Sequence, residues 1–223
     1  MNAHLLFNTL VVIAAVFYAL MIVLCFADKK LAIKIDTVIH QIMLFIAELA
    51  LAGMIIIVFF TVMLRYCFHT GIGWAEEVPR LLVNLFAFCA CAIGVRDHLH
   101  ISVGILYSKL KNVKIFNALP LQTILDYIYD IAVLFCGIFL YYFGMSYFSK
   151  LFFLTGKLPM TGLNTCYQYL PAGISGFIVI TDSILFITRV LKPTDLLYTE
   201  KEIDYSEMMK KNKAEQTASQ SAN

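Results

Sequence analysis

Residues 74–96 read WAEEVPRLLVNLFAFCACAIGVR, a short charged opening followed by a run in which Asn84 is the main polar side chain before Arg96. Gly71 and Gly73 interrupt whatever precedes it. Trp74 suits the boundary between headgroups and hydrocarbon, with its ring in the apolar layer and its N–H toward water. Glu76 and Glu77 fall in a first helical turn, where the positive end of the helix favours carboxylates by about 0.3–1 kcal/mol. Pro79 is tolerated there because first-turn amides have no helical partner to lose. Glu76 and Arg80 are four apart in the favourable order. The stretch therefore reads as a helix that starts at a membrane interface. That reading explains one carboxylate, not two.

Working outward, the same solvent governs the whole chain. Of its 223 residues 61% are hydrophobic and 14% charged, with 5 prolines and 11 glycines. Apolar runs longer than about 18 residues indicate bilayer-spanning helices. Five are predicted, at 5–27, 42–64, 76–95, 127–148 and 168–190. At about 1.5 Å of rise per residue, each can cross a hydrocarbon core of about 30 Å. Only helices satisfy their own backbone groups in lipid at this spacing, so the fold class is an all-α integral membrane protein. A net charge of +2, spread over the loops, offers nothing to nucleic acid. The 6 cysteines show no C-x-x-C spacing and read as small packing residues.

Lysine and arginine set the orientation. Thirteen of the 17 lie after the first span, between the third and fourth, or in the tail. Those segments are predicted to be cytoplasmic, with the N-terminus and residues 74–80 outside. Residues 1–34 are then a first transmembrane helix and its cytoplasmic turn, 35–192 the main membrane domain, and 193–223 a polar, disordered tail. The first span has no preceding Lys or Arg and is longer than a signal-peptide core, so it is expected to be retained. Residues 103–120 mix apolar side chains with lysines and are predicted to lie as a helix in the inner headgroup layer, with a plain connecting loop as the alternative.

Ionisable groups inside a span cost roughly 2.5–3.5 kcal/mol on insertion scales, so each needs a reason. Glu48, Asp126, Asp130 and Asp182 all fall in the inner half. With Arg96 and His100 they are predicted to form a structural ionic cluster there. The outer half has no acids to continue a proton or sodium path. Asn84 is assigned an interhelical hydrogen bond. His4, His40, His69, His98 and His100 are placed at helix ends or in loops, which does not suit a haem held between facing helices. No spacing points to a metal site, a nucleophile or a phosphate loop, and no cofactor is expected.

A resemblance adds to this. Arg65–Tyr66, then Trp74-Ala75-Glu76-Glu77, Arg80, the apolar run, Arg96 and His100-Ile101 together resemble the small permease (Q-type, DctQ-like) subunit of tripartite ATP-independent periplasmic (TRAP) transporters. Tyr169, Pro171 and Gly173 resemble that family's last span. The likeness covers roughly residues 42–190. Family members typically have four spans, so 5–27 is an added helix, and Gly104 stands where many carry an acid. The resemblance implies a subunit without catalysis. Its partners would be a large membrane permease and a periplasmic substrate-binding protein, in sodium-driven uptake of an organic acid. Trp74, Glu76, Glu77 and Arg80 would then belong to the docking rim on the outer face. The competing function is a haem- or quinone-linked membrane anchor of an oxidoreductase, which a visible absorption spectrum would reveal.

Overall fold

A computed structural model describes residues 3–97, 114–115, 119–154 and 156–191. Five long helices dominate: α1 (Ala3–Ala27), α2 (Lys29–Cys67), α3 (Trp74–Arg96), α4 (Leu121–Phe153) and α5 (Leu170–Ile187). A short 3-10 helix, Thr165–Gln168, precedes α5. Among the described residues, five helical segments are long and apolar enough to cross a membrane. The chain is an all-α membrane bundle.

Two boundaries differ from expectation. Residues 29–34 are not a turn: they open α2, a helix of 39 residues and about 58 Å. Asp28 alone separates α1 from α2, and its side chain accepts a hydrogen bond from the Lys30 amide at 3.1 Å. An N-cap aspartate lets one helix end and the next begin within a single residue. The second departure lies in 103–120, predicted as one interfacial helix. Its described part is a two-residue antiparallel ladder, β1 (Lys114–Ile115) with β2 (Leu119–Pro120). Pro120 cannot donate a backbone hydrogen bond, and proline breaks a helix interior. The remainder of that segment and the 193–223 tail lie outside the described residues.

The centre of the bundle is α5. Two thirds of its span, 67%, is buried, against at most 22% for any other. Small residues make this enclosure feasible, because in lipid helices associate by close backbone packing. On α4, Gly144 sits against the backbone of Gly173, and Gly137 against Val179 and Ile180. Gly176 of α5 meets the backbone of α4 at Tyr141. A β-carbon at Gly144 or Gly176 would overlap main-chain atoms of the facing helix. On another side, Met43 and Ala47 of α2 pack with Cys89 and Ala92 of α3 against Ile178 and Val179. Helix α1 closes the rest. Met21 and Cys25 bury against Leu185 and Phe186, and Ala14 joins Tyr141, Met145 and Ile180. Tyr141 donates to the Leu10 carbonyl at 2.9 Å, and Tyr18 donates to that of Phe177 at 3.2 Å.

Candidate functional site

At one end of the bundle, the start of α3 meets the hairpin that joins α4 to α5. The hairpin is built from its own backbone: Leu158 N donates to Leu163 O at 2.8 Å and Thr165 N to Gly156 O at 3.0 Å. Gly162 takes a positive φ of 67°, a conformation open to glycine. Glu77 turns inward and binds this loop. Its Oε1 accepts from the Met160 amide at 3.1 Å, and its Oε2 accepts from the Thr161 amide at 2.9 Å and hydroxyl at 2.8 Å. Beside it, the Met160 thioether rests where a side chain on Gly73 would stand. Glu77 and Gly73 thus pin the hairpin to α3.

Trp74, Glu76 and Arg80 point the other way and are exposed. Around them Tyr66, Phe68, Leu154 and Met160 are also exposed. The two adjacent carboxylates have different environments: Glu77 closes a loop, and Glu76 remains on the rim.

At the opposite end, four ionisable side chains join three helices. The Arg96 Nε of α3 donates to Asp36 Oδ2 of α2 at 2.8 Å. His40, one turn along α2, places Nδ1 3.1 Å from the Asp36 carbonyl oxygen and 3.6 Å from Asp36 Oδ1. Its Nε2 lies 3.2 Å from Asp182 Oδ2 of α5. Asp36, His40, Arg96 and Asp182 are all buried. Acceptors face both ring nitrogens, and only the doubly protonated imidazole has a donor for each. The Arg96 guanidinium also lies 5.9 Å from the centre of the Phe186 ring. Removing one member of such a buried set typically costs about 3–5 kcal/mol, because its partner is left uncompensated.

Donor atoms of Asp36, His40 and Asp182 lie within 4.8 Å of one another, so these residues could hold a cation. The imidazole turns one nitrogen toward each aspartate.

Of the ionic cluster predicted from sequence, Arg96 and Asp182 are brought into one network. Asp130 is buried on α4. Asp126 falls within α4, and its side chain lies outside the described residues, as does all of His100. Glu48 does not join the cluster. It sits on the outward face of α2, exposed, and forms no hydrogen bond or ion pair among the described residues. His40, assigned to a helix end, is instead inside α2 and buried, because that helix begins at Lys29. Asp36 and His40 were missed for the same reason. Their signal is spacing: Ala32, Asp36, His40, Met43, Ala47 and Ala50 form one buried stripe on α2.

Comparison with protein families matches residues 54–192 to the tripartite ATP-independent periplasmic transporters, DctQ component. The chain belongs to this family. It is a TRAP small permease, a multi-pass protein of the inner membrane. Two Haemophilus influenzae proteins named as TRAP transporter small permeases are similar to it. One is 34% identical over 141 residues, covering 63% of this chain and 80% of the relative. The other is 32% identical over 152 residues, covering 66% and 86%. No solved structure matches. The family match begins within α2, so α1 of this small permease lies outside it.

Proposed function

We propose that this small permease is the fixed, non-catalytic scaffold of its transporter. It holds a large permease subunit in the membrane and helps seat a periplasmic substrate-binding protein on the outer rim, while the large subunit carries an organic acid with sodium. The N-terminus lies outside and the C-terminus in the cytoplasm, as the lysine and arginine distribution supports.

The observation that carries the scaffold reading is the inner cluster. Arg96, Asp36, His40 and Asp182 lie at one end of the bundle and are engaged with one another. Residues 50–64 of α2 and 135–148 of α4 supply no acid in the outer half to extend such a network into a path. A closed set of ions fixes helix positions; conduction would need a chain of sites across the bilayer. At the outer end, the Glu77-bound hairpin presents a shaped surface with Trp74, Glu76 and Arg80 beside it, as docking of a soluble partner would require. Rim charges of this kind steer encounter and register more than they add affinity.

Reconstitution tests the reading. Liposomes holding this chain alone should take up no solute under a sodium gradient. Liposomes that also hold the large permease, supplied with the binding protein, should. Gradient-driven uptake by the chain alone would overturn it.

A further inference from the structure

The bundle presents long outward faces on α1, α2, α3 and α4, and they differ in chemistry. That of α1 is made by side chains such as Val12, Val16 and Val23, and that of α4 by Ile131, Phe135 and Ile138. Neither carries an exposed carboxylate, lysine or arginine between the membrane boundaries expected from sequence: α1 has none at 5–27, and Asp130 of α4 is buried. Lipid suits both. On α3, Val83, Ala87 and Cys91 are exposed and the exposed charges, Glu76 and Arg80, stay in its first two turns; the remaining face belongs to α2. Ile42, Phe45, Leu49 and Ile55 are each more than half exposed, and Glu48 and Ala52 complete the stripe. These positions recur every three or four residues, which is one continuous helical face.

Glu48 lies six residues, about 9 Å, beyond Ile42 and so within the hydrocarbon. A carboxylate held there against acyl chains is costly and needs a partner. Its own chain supplies none among the described residues. Ala52, one turn further along, leaves room for a second backbone to approach closely.

We propose that the α2 face centred on Glu48 is the seat of a transmembrane helix of the large permease, one that presents a lysine or arginine to the Glu48 carboxylate. This rests on the scaffold reading above and adds to it the surface used and the charge recognised. The buried charge pair fixes the depth at which the two helices meet. The apolar residues on either side exclude lipid from it.

The test uses the full-length chain co-expressed with its large permease. A benzoylphenylalanine replacing Phe45 or Leu49 should, on illumination, form a covalent adduct with the large permease. The same group replacing Val16 on α1 or Phe135 on α4 should not. Glu48→Lys should lower recovery of the large permease in mild detergent at least tenfold, and Glu48→Gln by less. Exchanging the partner helix's cation for glutamate should restore recovery with Glu48→Lys. Adducts formed from positions 16 or 135 instead, or from 45 and 49 only to lipid or to a second copy of this chain, would overturn the assignment while leaving the scaffold role intact. Unchanged recovery with Glu48→Lys would overturn the charge pairing. If the unmodified chain does not retain the large permease at all, the scaffold reading itself falls.

Discussion

Glu76 and Glu77 are neighbours in sequence but about 100° apart around the helix, and that angle gives them separate tasks. Glu77 satisfies three donors of the α4–α5 hairpin, two backbone amides and a hydroxyl. A charged acceptor is stronger than a neutral one, and an amide in its place would turn one of its two polar atoms into a donor. Glu77→Gln should therefore loosen residues 156–165, seen as faster amide hydrogen exchange at Met160 and Thr161, while Glu76→Gln leaves that exchange unchanged. The proposed docking role predicts the converse. Glu76→Gln should slow uptake mainly at low binding-protein concentration, with the difference shrinking as salt rises. The doubled carboxylate was legible as a helix start at a membrane surface. Its division was not, because the Glu77 partners lie 83 and 84 residues away in the chain.

The α4–α5 seam depends on what glycine lacks. Gly176 lies against the backbone of Tyr141, with no flexible side chain between them to yield. Gly176→Leu should force the two helices apart and lower the unfolding midpoint in detergent by more than about 5 °C. Gly71→Ala, at a position with open space around it, should leave that midpoint unchanged. The spans themselves were readable from sequence, since the length of an apolar run and the thickness of a bilayer are the same measurement. The start of α2 was harder to see. Residues 29–41 include three lysines, an aspartate, a histidine and a glutamine, so hydropathy ends the span near 42 while the helix continues. Below that point only the spacing of Ala32, Asp36 and His40 records which side is buried. Hydropathy likewise could not tell that Glu48 lies about 120° around the helix from Asp36, off the buried stripe. Both are acids in one helix, and only helical phase separates a clustered one from an outward one.

At the scale of the whole molecule, the helix outside the family match is part of the core. Removing residues 1–27 would expose Leu185 and Phe186 where Met21 and Cys25 now cover them, and would remove the Leu10 and Tyr18 hydrogen-bond contacts. Such a truncated chain should insert but lose its single sharp unfolding transition in detergent, as followed by tryptophan fluorescence of Trp74; a transition as sharp as that of the full chain would make α1 dispensable. The position of α5 has a mechanical corollary. It touches α1, α4, α2 and α3, and it is tied to α2 by the contact between His40 and Asp182. A strut clamped on every side can neither slide nor tilt without parting several joints at once. On the proposed scaffold reading, whatever travels during a transport cycle travels against this chain, the stator of the machine.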